Sequence, residues 1–144
     1  MNSEDFVTYE QAILLKKLGF KSIGCFYNYD IVGNLTPNVC NSLNNEVITS
    51  IDLIESHNFW EHERVDAPTL AQVQKWLRKE KEIYLIYEIG LGNEIHNAKF
   101  EWTAYNCKGY IVSNLSSGFI YDSPEEALSA GITECLKLLE NENN

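Results

Sequence analysis

The chain has 144 residues, 44% of them apolar and 12% aromatic. This is enough to bury a real core in one domain and too apolar for a disordered chain. Its 21 acidic and 11 basic side chains leave a formal net charge of −10; a phosphate backbone is held by clustered cations, so direct nucleic-acid binding is not expected. No apolar run approaches the roughly 18 residues of a membrane span. The opening "MNSEDFVTYEQ" is acidic where a secretory signal would be basic and then apolar, so a cytoplasmic protein without membrane contact is expected.

The first element in chain order is a helix opened by Thr8 and Gln11, a capping box in which each side chain satisfies a backbone donor of the other residue. Ala12, Leu15 and Leu18 recur at helical spacing, Ile13 and Leu14 widen the stripe, and Gly19 supplies the stop. "FKSIGCFYNY", residues 20–29, is aromatic and partly alternating and reads as a strand. Residues 30–66 read as an irregular, insertion-like segment in which "VITSIDLI" is a strand candidate. Thr69 and Gln72 open a second helix whose stripe is Leu70, Val73, Trp76 and Leu77, opposite Gln72, Lys75 and Lys79. The basic run "KWLRKEK" ends that helix, where cations complement the helix dipole.

"IYLIYEI", residues 83–89, is nearly continuous in apolar residues and reads as a central strand. "GLGNE" follows as a hairpin turn. "KFEWTAY", residues 99–105, places Phe100, Trp102 and Ala104 on one face; after the turn "NCKG", "YIVSNL" closes a meander. Ser123 and Glu126 open the third helix. Pro124 at its first position lacks only a donor that would be unused, and Glu125 and Glu126 meet the positive end of the dipole. Its apolar face holds Leu128, Ile132, Cys135 and Leu139, with Ala127, Gly131 and Leu138 beside it. Gly131 costs helix propensity and predicts close approach to whatever lies beneath. Residues 141–144 should fray.

The expected fold is therefore α+β: a single globular domain over residues 1–144, with an antiparallel meander sheet and three helices packed mainly on one face. Residues 69–140 form its α-β-β-β-α unit.

That order of elements, helix, three strands, helix, resembles the double-stranded-RNA-binding domain over about half the chain. The family reads duplex RNA by shape, with a Gly-Pro-x-His-like loop and a lysine-rich opening of its last helix. Here the loop position holds "GNEIH", residues 92–96, and the lysine positions hold Glu125, Glu126, Ala127 and Leu128. The resemblance implies the topology, and the acids at the phosphate positions argue against its ligand. A second resemblance spans the chain. "AILLKKLGF", "APTLAQVQKWLRKEK" and "YDSPEEALSAGITECLKLL" are similar to blocks shared in the same order by small proteins recurrent in Bacteroidota and their phages. It implies a phage or mobile-element setting and supplies no activity.

The residues themselves propose little catalytic chemistry. Cys25, Cys40, Cys107 and Cys135 are far apart and form no Cys-x-x-Cys pair, so free thiols are expected, with Cys25 and Cys135 in the core. "ESHNFWEHER", residues 55–64, gathers His57, Glu61 and His62 around Trp60, donor types that zinc or manganese accepts. The spacing matches no established ligand pattern, and a solvated loop anchored by Trp60 is the simpler reading. Phosphate-binding and nucleophile-elbow motifs are absent, and no cofactor is expected.

A binding protein remains, whose partner is a protein or small ligand, with a homo-oligomer left open. Tyr84, Tyr87, Trp102, Tyr105 and Tyr110 lie on adjacent strands, Trp102 reading as core and Tyr84 and Tyr110 as the exposed surface. Two alternatives stand beside it. One is an acidic nucleic-acid mimic that inhibits a host defence enzyme through Asp122, Glu125, Glu126, Glu134 and Glu140. The other is a metal-dependent enzyme using residues 55–64.

Overall fold

The start of each helix follows from residues within one turn of it. The structure, a computed structural model, describes residues 3–21, 27–30, 32–37, 65–90, 98–107 and 113–142. Cys25, Cys40, residues 55–64, "GNEIH", Tyr110 and "VITSIDLI" lie outside the described residues. Helix α1 (Tyr9–Lys17) and helix α2 (Leu70–Lys81) begin with complete capping boxes at Thr8 with Gln11 and Thr69 with Gln72. Helix α3 (Pro124–Glu142) differs. Ser123 Oγ accepts from the Glu126 N–H at 3.1 Å, but the Glu126 carboxylate accepts from the Asp122 N–H instead of that of Ser123, so only half of the expected box forms.

The strands are β1 (Tyr27–Tyr29), β2 (Leu35–Pro37), β3 (Val65–Asp66), β4 (Ile83–Gly90), β5 (Lys99–Asn106) and β6 (Ser113–Ser116). They form two antiparallel sheets, ordered β2-β1-β3 and β4-β5-β6. The class is α+β, and the second sheet is the expected meander. The chain groups into two units, Thr8–Pro68 and Met1–Val7 with Thr69–Asn144.

In the unit Thr8–Pro68, α1 packs against β3. It buries Gln11, Ala12 and Leu15. Ile13 is exposed rather than part of the stripe. Gly19, at φ +89°, ends the helix as expected, with the Phe20 N–H donating to the Leu15 carbonyl at 2.9 Å. The Tyr9 ring meets that of Tyr29 edge-on at 5.6 Å. The turn between β1 and β2 is built on Asp30, whose carboxylate accepts from the N–H groups of Val32 and Asn34.

In the other unit, α3 packs across β4 and β5, and α2 packs against β4 and α3. Ala127, Leu128, Gly131, Ile132, Cys135, Leu136 and Leu139 are the buried face of α3. Leu136 takes the place expected for Leu138, which is exposed. Each aliphatic side chain buried here contributes about 1.5–3 kcal/mol. Gly131 is the contact point: a Cβ there would lie 2.6 Å from Leu85 Cδ1 and 3.0 Å from Trp102 Cβ. The predicted close approach is therefore to the sheet, and Trp102 is core. Between α2 and β4 the chain turns at Glu82, whose φ of 57° is the left-handed conformation usual for glycine at a helix end.

Candidate functional site

The order β4-β5-β6 makes β5 the central strand and leaves β4 at an edge, against the expectation that "IYLIYEI" is central. A run apolar on both faces is read as doubly buried when sequence alone is available; here helices cover one end of it. Ile83 and Leu85 are buried, but beyond them Ile86 and Ile89 are exposed. Tyr84 is 46% exposed, Ile86 40%, Tyr87 47% and Ile89 50%. Alternation along the strand sends Tyr87 and Ile89 to the helix-covered face and Tyr84 and Ile86 to the opposite one, where Thr103, the β5 neighbour of Ile86, is buried. Apolar surface thus wraps around both sides of one strand.

The ladder with β5 decides where the backbone groups of β4 point. Phe100 and Trp102, opposite Ile89 and Tyr87, direct their N–H and C=O groups toward the other side of β5, to Tyr121 and Ser117. The pairs Tyr87↔Trp102 and Ile89↔Phe100 are therefore non-hydrogen-bonded, and Tyr84, Ile86 and Glu88 carry the bonds to β5. The polar groups of Leu85, Tyr87 and Ile89 face away from the sheet. Gln74 of α2 donates its Nε2 to the Leu85 carbonyl at 3.0 Å and closes the edge there. Among the described residues nothing pairs with the backbone of Tyr87 or Ile89 on that side.

Charge on this opposite face is uneven. Glu88 stands directly opposite Glu101 on β5. Carboxylates so placed repel each other. The nearby Lys99 is already paired with Asp122. Gly90 leaves room for the Phe119 ring, which a Cβ would meet at 2.7 Å. Phe119 itself is exposed, extending the apolar surface past the end of β4.

Of the residues singled out from sequence, Tyr84 sits on this surface. Tyr110, His57, Glu61 and His62 lie outside the described residues, and among the described residues no group of three or more His, Cys, Asp or Glu side chains is arranged to hold a metal ion. Glu125 and Glu126 lie in the first turn of α3, where Glu126 holds the Asp122 N–H. Glu134 pairs with Lys137, one turn along α3. Sequence reasoning placed Tyr87 among the interfacial aromatics but missed Ile86 and Ile89. Their signal was present: "IYLIYEI" offers more apolar surface than two amphipathic helices cover. Burial pushes the Cys135 thiol up to about 12, with Glu134 adding to the effect, so this cysteine belongs to the core.

No described helix is long and apolar enough to cross a membrane. Compared with protein-family models, with curated proteins and with solved structures, the chain finds no match.

Proposed function

We propose that the chain is a non-catalytic, intracellular binding protein of a phage or mobile element, and that it engages another protein through the β4 side of its meander sheet. The observation that carries this reading is the set of large apolar side chains exposed on both faces of one strand, Tyr84, Ile86, Tyr87 and Ile89. Aromatic and large aliphatic residues clustered in this way mark interaction surfaces rather than ordinary exposure. Of the acidic side chains of the alternative mimic reading, Glu126 and Glu134 have local roles at the start and middle of α3, which gives these two a structural purpose without a partner.

The test is capture from a bacterial host lysate with the wild-type chain and with Ile86→Glu, followed by elution in a salt gradient. An apolar interface predicts a partner that survives high salt and is lost in the variant, because screening weakens charge pairs far more than buried apolar contact. A basic nucleic-acid enzyme released at modest salt and still captured by Ile86→Glu would overturn it in favour of mimicry.

A further inference from the structure

We infer that β4 binds its partner by strand addition, and that the partner segment is an extended peptide with a basic residue flanked on both sides by apolar residues. The inference rests on the binding reading above and specifies its mode. Among the described residues, the outward-facing N–H and C=O groups of Tyr87 and Ile89 form two adjacent sites of an antiparallel ladder with no partner strand. Such an edge is a template for another chain, with main-chain bonds supplying affinity and alternate side chains supplying selectivity.

The choice of occupant follows from Glu88. It lies between the two outward-facing sites, so in an antiparallel addition the residue opposite it forms a non-hydrogen-bonded pair, the closer of the two kinds. A lysine or arginine there meets Glu88 and offsets its repulsion with Glu101. The neighbours of that cation face Tyr87 and Ile89 and are apolar for the same reason of contact.

A second copy of the chain fits less well. A two-fold register that pairs Tyr87 with Ile89 of the second copy sets Glu88 against Glu88 of the second copy. Shifting the axis to Tyr87 demands Leu85, whose carbonyl Gln74 already holds. A chain of net charge −10 adds long-range repulsion to both.

The experiment selects ligands for the full chain from a displayed library of random twelve-residue peptides, then measures an enriched peptide by titration. The enriched set should share an apolar-basic-apolar core. Ile89→Pro removes an outward-facing N–H without touching any β4–β5 bond and suits an edge strand. It should weaken binding roughly tenfold or more, the scale of one to two hydrogen bonds. Glu88→Lys should reverse the preference toward acidic peptides. Amide exchange at Tyr87 and Ile89 should slow when peptide is added to the wild-type chain, a readout that stands if Ile89→Pro does not fold.

Failure to enrich any peptide, enrichment without the basic position, or binding indifferent to Ile89→Pro with no added amide protection would each overturn strand addition. So would protection at Tyr87 and Ile89 produced by self-association alone in sedimentation equilibrium. If any of these occurs while lysate capture is still lost in Ile86→Glu, strand addition falls and the binding reading stands.

Discussion

Gly131 of α3 lies so near Trp102 of β5 that a methyl group on it would sit 3.0 Å from both Cβ and Cγ of the indole-bearing side chain. The helix rests on the sheet at this point because one residue has no side chain. Replacement by alanine raises helix propensity by up to about 1 kcal/mol. It also forces a methyl against Leu85 and Trp102, both buried, where the Cβ of the indole-bearing side chain must shift as well. Overpacking of this kind costs roughly 1–3 kcal/mol. Gly131→Ala should therefore lower the denaturant midpoint. Gly90→Ala should have a much smaller effect, since the ring it meets belongs to exposed Phe119 and can swing into solvent. Equal losses in the two variants would show that the helix–sheet spacing is not set at Gly131.

Glu82 pays for its place in the turn between α2 and β4. Its φ of 57° is a conformation in which a Cβ crowds the following carbonyl, at about 1–2 kcal/mol. The N–H of Glu82 donates to the Leu77 carbonyl and its C=O accepts from Cys107, so the geometry is held from both sides. Glu82→Gly should stabilise the chain by about 0.5–1 kcal/mol, after the greater freedom of glycine in the unfolded chain is subtracted. Thermal melting of the two proteins decides it, and a lower melting temperature in the variant would contradict the left-handed turn.

The two described cysteines should part company in thiol labelling. Cys135 is buried and its thiol is pushed up to about 12, so at neutral pH it presents neither access nor thiolate. Cys107 is partly exposed. Native-state alkylation read by peptide mapping should modify Cys107 and spare Cys135 until denaturant is added. Early labelling of Cys135 would mean that α3 leaves the sheet under native conditions.

Asp30 provides a pH signature. The Asn34 N–H, with further help from that of Val32, holds its carboxyl below the usual carboxylate range. A depressed native value contributes stability that is complete above the unfolded-state value of about 3.9 and is lost as pH falls through the native one. An NMR titration of the Asp30 side chain should give a midpoint below that of a model peptide. Asp30→Ala should loosen the β1–β2 turn at neutral pH while leaving α3 unchanged.

Local signals carried a large part of this protein. Thr8, Thr69 and Ser123 start helices where they stand, because a capping hydroxyl acts on backbone donors only two or three residues away. The stripe of α3, that of α2 apart from Trp76, which is only half-buried with Lys81 Nζ over its ring, the stop at Gly19 and the alternation about Trp102 were legible for the same reason: each depends on periodicity within one element. Ile13 and Leu138 defeated the periodicity, since an apolar residue at the border of a stripe is buried only if a neighbouring element extends far enough to cover it. The Asp122 N–H captured Glu126 through a turn whose shape depends on the pairing of Tyr121 with Phe100, twenty-one positions away.

The candidate site belongs to the tertiary structure. By itself the sequence determined that residues 83–89 form a strand and that they are apolar on both faces. Whether such a strand is central or at an edge depends on which strands lie beside it, and that choice is made by pairing between distant segments. With β5 between β4 and β6, and Gln74 closing the edge at Leu85, the same apolar run that reads as interior becomes, among the described residues, an edge at Tyr87 and Ile89.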